Sequence, residues 1–159
     1  MKQLCIIPCG KKKVWDKHPT FGSMPAKDVY LSTFHRLCRA YAMHFFDYWV
    51  ILSAKHGFLF ENDIVDGPYD ITFNGKSNEI ITINDLQEQA IEKQLYNCND
   101  VVVLTGKKYV PIIHNVFPDT CSKQFPLLSY GGIGVMQQKL KVALEKDHPI
   151  HLPITSKLR

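Results

Sequence analysis

The sequence predicts a single three-layer α/β domain, with a mainly parallel four-stranded sheet covered by helices on both faces. Three observations predict it. Short, unbroken apolar runs of strand length alternate with stretches of helical periodicity. The runs stop at corners rich in glycine, proline and lysine. Finally, 159 residues with 45% hydrophobic and 21% charged side chains suffice for one good core but not for two. The domain is expected over residues 1–146, with 147–159 as a C-terminal tail.

The first run, Gln3-Leu4-Cys5-Ile6-Ile7-Pro8-Cys9, reads as a strand buried on both faces. Pro8 cannot donate to a ladder, so the strand ends there and turns out at Cys9-Gly10. From Pro25 the period changes. Val29, Phe34, Leu37, Cys38, Tyr41, Ala42 and Phe45 recur at helical spacing, which predicts a helix over about 33–46 capped by Ser32. Tyr48 to Ala54 is a second strand, rich in aromatic and β-branched residues, closed by Lys55-His56-Gly57. Residues 58–82 contain turn signals at Asp66-Gly67-Pro68 and Asn74-Gly75, yet are too apolar for a linker. They are expected as a long ordered loop over the domain. A helix follows from Asn84 or Asp85 to about Tyr96. Asp100 to Leu104 is the third strand, ending in Thr105-Gly106. Lys107–Val116 is a short helix around Pro111, Gln124–Leu128 a weaker fourth strand, and about 134–146 the last helix.

Charge and cysteine usage narrow the class. Nineteen Lys and Arg against fifteen Asp and Glu leave a net charge of +4, too mild to establish a nucleic-acid partner. The lysines are clustered, however, at Lys11-Lys12-Lys13 and Lys107-Lys108, and such clusters meet phosphates or simply stay solvated. The five cysteines form no CxxC pair and no metal-ligand spacing. An odd count without a secretory leader predicts reduced thiols in a cytoplasm. Apolar stretches fall well short of the about 20 residues of a membrane span, so no membrane partner is expected.

In an open parallel sheet, ligands bind beyond the carboxyl ends of the strands where the strand order reverses. Here those ends carry Cys9, Gly10, Lys11, Lys12 and Lys13; Ser53, Lys55 and His56; Thr105, Gly106 and Tyr109; and Ser129 to Gly132. Backbone N–H, hydroxyl and ammonium groups of this kind suit a phosphate or a sugar carrying a base. His56, after a buried strand and before a glycine, is the candidate general acid. Asp70, and alternatively Asp28, is the candidate carboxylate. Tyr30 and Ser32 precede the main helix and can meet a ligand at its N-terminus. Simpler uses compete: His56 as a backbone cap, Asp70 as an Asx-turn, Ser32 as a plain cap and Cys9 as a small buried hydrophobe. Tyr109 and Tyr130 either stack on a base or cover the sheet. No dinucleotide, P-loop, zinc-hydrolase or nucleophile-elbow motif is present, and no cofactor or metal is implied.

Taken together, Cys9-Gly10-Lys11-Lys12-Lys13, the segment Pro25 to Phe34, Ile51 to Leu59 and Pro68-Tyr69-Asp70-Ile71-Thr72 resemble a widespread prokaryotic and phage family. Leu104 to Tyr109 and Pro126 to Gly134 fit its C-terminal half. Most members are labelled as a domain of unknown function. The resemblance spans about residues 4–146, and Ser53-Ala54-Lys55-His56-Gly57 is its most specific segment. Members stand beside YaaA-type peroxide-stress proteins, and the layout is similar to the uracil-DNA-glycosylase-like α/β fold. The aspartate and proline-tyrosine-histidine motif of that fold is absent, as is its histidine-proline-serine loop, so no catalytic residue carries across. The expectation is an enzyme acting at an N-glycosidic bond, on a modified base in nucleic acid. A non-catalytic nucleic-acid or nucleotide binder in stress or defence is the alternative, as is a nucleoside hydrolase or deoxyribosyltransferase-like enzyme.

Overall fold

The computed structural model describes residues 2–154. The chain opens with β1 (Gln3–Pro8), then turns into the short helix α1 (Val14–Lys17) and the two-residue strand β2 (Met24–Pro25). Helix α2 (Thr33–Phe45) follows, capped by the Ser32 hydroxyl, which accepts from the His35 N–H. Next come β3 (Tyr48–Ser53), β4 (Gly57–Leu59) and β5 (Ile64–Val65). After the long loop stand α3 (Ile83–Glu92), β6 (Asp100–Val103), α4 (Val110–Val116), β7 (Ser122–Gln124) and α5 (Ile133–Lys146).

Among the described residues the main sheet has five strands in the order β4-β3-β1-β6-β7. The inner β1 pairs in parallel with β3 and β6, and β6 pairs in parallel with β7. Period-2 alternation divides the strands between two cores. Cys5, Ile7, Ile51, Val102 and Leu104 face Cys38, Tyr41, Ala42, Leu140 and Ala143 of α2 and α5. Leu4, Ile6, Val50, Leu52, Val101 and Val103 face Leu86, Ala90, Ile113 and Val116 of α3 and α4. Both faces are therefore buried, which is why these strands read as continuous apolar runs.

Two details differ from expectation. The sheet is mixed, because β4 folds back antiparallel on β3 and adds a fifth strand at one edge. The fourth parallel strand lies at Ser122–Gln124 rather than Gln124–Leu128, since Phe125 to Ser129 turn away from the ladder toward α5. The long loop is tied down by β5, which pairs with β2, and by the Ile81 N–H donating to the Ala54 carbonyl.

Beyond α5 the chain packs against the C-terminal half of α2 and the edge of the sheet. His151 is buried, stacks on Phe46 at 4.5 Å and meets the Tyr41 hydroxyl at 2.5 Å. The Leu152 carbonyl accepts from Gln3 and Gln124. The basic end of the expected tail, within residues 155–159, lies outside the described residues. No helix among the described residues is long and apolar enough to cross a membrane.

Candidate functional site at the sheet switch point

From β1 the chain crosses by α2 to β3 on one side, and later reaches β6 on the other by way of α3. The carboxyl ends of β1 and β6 thus diverge at the switch in strand order, and a cavity of about 240 Å³ opens there. Its walls come from Cys9, Gly10, Lys11 and Lys13 after β1, Ser32 and His35 at the start of α2, and Gly106 and Tyr109 after β6. Asp70, Ile71 and Thr72 of the long loop close one side, and Lys108 and Ile133 stand at the rim.

Local hydrogen bonds assemble segments that are separate in sequence. The Leu31 N–H donates to the Lys12 carbonyl and the Val14 N–H to the Val29 carbonyl, so the lysine loop is zipped to the approach to α2. Gly10 makes the approach possible: its φ is +89°, and a Cβ there would sit 2.9 Å from the Ser32 Oγ. Gly10→Ala is accordingly expected to weaken ligand binding at least tenfold by pushing the lysine loop off α2, as read by titration calorimetry. Unchanged affinity would count against this placement.

Lys13 is buried, with its Nζ donating to the Lys11 carbonyl and lying 4.4 Å from the centre of the Tyr69 ring. Burial lowers its pKa, while Cys9, Asp70 and Asp16 oppose that drop. The Cys9 thiol is pushed up by burial, against the pull of Lys13 and nearby hydrogen bonds, and is no ready nucleophile in this state. Tyr30, Tyr69 and Tyr109 are likewise raised by burial and stay protonated.

Tyr69 divides the sheet edge. Its hydroxyl meets the Tyr30 hydroxyl at 2.5 Å and the Ser53 Oγ at 2.7 Å. Ser53 Oγ also accepts from the Lys55 and His56 N–H groups. An oxygen accepting two N–H bonds gives its own proton onward, so Ser53 donates to Tyr69. On the far side, the His56 ring meets Tyr69 edge-on at 5.0 Å, and the Lys55 ammonium is 5.8 Å from the Tyr69 ring centre.

The expected site residues therefore fall into three sets. Cys9, Gly10, Lys11, Lys13, Ser32, Asp70, Gly106 and Tyr109 line the cavity. Tyr30, Ser53, Lys55, His56 and Thr105 are not on its wall: the first four surround Tyr69, and Thr105 is buried with its hydroxyl donating to the Gly106 carbonyl. Lys12 and Asp28 are exposed, the latter on a 3₁₀ turn at Ala26–Asp28, and neither reaches the cavity. Burial and then Lys55 lower the His56 pKa, against Asp66. Tyr130 packs beside the α2–α5 core instead.

Sequence reasoning missed His35. It is fully buried, lines the cavity, and its Nδ1 lies 2.8 Å from the Pro8 carbonyl. Only a histidine in the first turn behind a Ser cap marked it, and that signal reads equally as a core position. A second hollow of about 300 Å³ lies at the amino ends of β1 and β3, around Lys2, Tyr48 and Phe60. It is the larger of the two, but its Lys93 is already held by Asp63 at 2.6 Å and the polar strand ends are remote. Among the described residues no group of three or more His, Cys, Asp or Glu is placed to hold a metal ion.

The doubly covered sheet and its switch-point cavity define an α/β domain with a candidate site at the carboxyl edge of the sheet. Residues 4–141 match the family of unknown function DUF6884, and the chain belongs to that family. It is also 49% identical over 150 residues to "Uncharacterized protein YfjM" of Bacillus subtilis (strain 168), covering 94% of this chain and 100% of that protein. No solved structure matches the chain.

Proposed function

We propose that the cavity receives a nucleotide, free or within a nucleic acid, and that the protein hydrolyses its N-glycosidic bond. What supports this reading is that one carboxylate, Asp70, and one buried ammonium, Lys13, share the wall of a single small cavity. Ligand pockets run about 300–1,000 Å³, so a hollow of about 240 Å³ takes one nucleoside-sized group and no stretch of polymer. A base within DNA or RNA would enter flipped out of its stack.

In the proposed step the C1′–N bond breaks and its electron pair goes to the base nitrogen, which takes a proton from Lys13. A pKa lowered from the ordinary lysine value makes that ammonium a better acid near neutrality. Asp70 stabilises the developing positive charge on the sugar and accepts a proton from the water that adds to C1′. The base leaves together with a sugar phosphate, or alone from an abasic site where the nucleotide is part of a chain, and the two residues exchange the proton back through solvent. His56, expected in the acid role, stands behind Tyr69 and supports it from there.

The test is base release by the purified chain from nucleosides, nucleotides and modified-base DNA and RNA. Lys13→Met and Asp70→Asn are each expected to lower kcat by about 10²–10⁴-fold. His56→Ala should cost under about tenfold, as a residue without substrate contact. No base from any member of the panel sinks the enzymatic reading. A binding-only reading draws on the exposed Lys11, Lys12, Lys107 and Lys108. It requires saturable binding that weakens steeply with salt and no turnover.

A further inference from the structure

His35 and the first turn of α2 carry a more specific statement about the ligand. The Pro8 carbonyl can only accept, so the His35 Nδ1 at 2.8 Å must carry the proton. That leaves Nε2 as a bare lone pair, and it is buried with no partner at all. A buried acceptor left unsatisfied is costly, and the vicinity of such an atom in a cavity wall is where a ligand donor belongs. Burial, together with Arg39 and Arg36, holds the ring neutral down to about pH 4, so Nε2 stays an acceptor at physiological pH.

The same turn offers donors. Helix α2 is 13 residues long, and Ser32 satisfies only the His35 N–H among its leading amides. The Thr33 and Phe34 N–H groups remain at the positive end of the helix dipole, and Phe34 lines the cavity with Lys11 and Lys108. An anion fits these amides and ammonium groups, and a hydroxyl fits Nε2. Both subsites belong to the first turn of α2, so a single ligand can present both groups.

We propose that the site selects a phosphate monoester of a sugar bearing a neighbouring hydroxyl, with the phosphate on the α2 amides, Lys11 and Lys108, and the hydroxyl donating to His35 Nε2. This rests on the reading of the cavity as a nucleotide site and narrows it to ribonucleoside monophosphates over free nucleosides. A free nucleotide and a phosphorylated chain end present the same chemistry.

Titration calorimetry on the full chain tests it, with the four ribonucleoside 5′-monophosphates, their nucleosides and the matching 2′,3′-dideoxy monophosphates. The monophosphates are expected to bind at least tenfold tighter than the nucleosides, and removal of the sugar hydroxyls to cost about tenfold or more. His35→Asn keeps a donor toward Pro8 and lacks Nε2, so it should abolish the ribo-over-dideoxy preference while retaining the preference for phosphate. Lys108→Ala should do the reverse. Competition by a 5′-phosphorylated oligonucleotide assigns the monoester to a chain end, and failure to compete assigns it to the free nucleotide. Equal affinity for nucleosides and monophosphates, no binding of either, or a ribo preference surviving His35→Asn overturns the inference. These readouts need no turnover: tight selective binding without base release refutes only the hydrolase, and indiscriminate hydrolysis of nucleosides and nucleotides refutes only the selectivity.

Discussion

Acidification from about pH 6.5 to pH 4 should strip the protein of several kcal/mol of stability, well before its carboxylates finish titrating. His35 and His151 are both buried neutral, and burial lowers the pKa of each to about 4. An unfolded histidine takes its proton near 6.5. Between those values the unfolded chain binds more protons than the folded one, so stability rises with pH and falls on acidification. At about 1.4 kcal/mol per pH unit, each histidine is worth on the order of 3 kcal/mol across the window. Neither ring offers the incoming proton a home, since the Nε2 atoms of both lack partners. Urea melts at pH 7, 6, 5 and 4 measure the slope. His151→Phe keeps the aromatic stack on Phe46 and leaves Tyr41 its bond from the Ile150 N–H, while removing the titration. It should remove about half of the slope; an identical slope in variant and parent would refute the assignment.

Gly57→Ala is expected to cost about 2–4 kcal/mol, enough to lower the Tm of a domain of this size by roughly 5–15 °C. Gly57 has φ +76°, and a Cβ there would fall 2.1 Å from the Gln89 Oε1 and 2.6 Å from the Ile81 Cδ1. Gln89 has little room to retreat, because its amide bridges the turn: Oε1 accepts from the Phe58 N–H and Nε2 donates to the His56 carbonyl. Gln89→Ala alone should cost about 1–3 kcal/mol by leaving those groups without partners. In the Gln89→Ala background the glycine substitution should cost visibly less, a non-additivity that a double-mutant cycle by thermal denaturation reads directly. Strict additivity would mean that backbone strain alone, and no clash, sets the cost.

The legible parts of this fold are those where one physical demand acts on consecutive residues. β1, β3 and β6 are buried on both faces, so every position is apolar and the strand is visible without knowledge of its neighbours. Helix α2 announces itself through its Ser32 cap and its apolar stripe. β4 and β7 are three residues each, and β7, Ser-Lys-Gln, is an edge strand with no apolar run to betray it. β4 exists by folding back on β3, and β7 by pairing with β6 beyond α4, so neither carries its own signal. The site follows the same rule. Polar corners after buried strands located the cavity, and Cys9, Lys13, Gly106 and Tyr109 meet there as the topology requires. The individual roles were less legible. His56 carries the more conspicuous motif, yet the Tyr69 ring stands between it and the cavity edge, a placement fixed by a hydroxyl bond to Ser53 across 16 residues. His35 acquires its bare nitrogen only through the Pro8 carbonyl 27 residues upstream.

The antiparallel turn-back of β4 bears on how the molecule behaves in company. A parallel sheet ending in a long strand would present a row of open amides and carbonyls to any similar edge it met in a crowded solution. Here the border strand is three residues long, and the amide it would offer outward, that of Phe58, is occupied by a glutamine side chain from α3. Sheet-to-sheet polymerisation is thereby denied a template on that flank, and the price is the two-point dependence on Gln89 that makes the neighbouring glycine costly to replace.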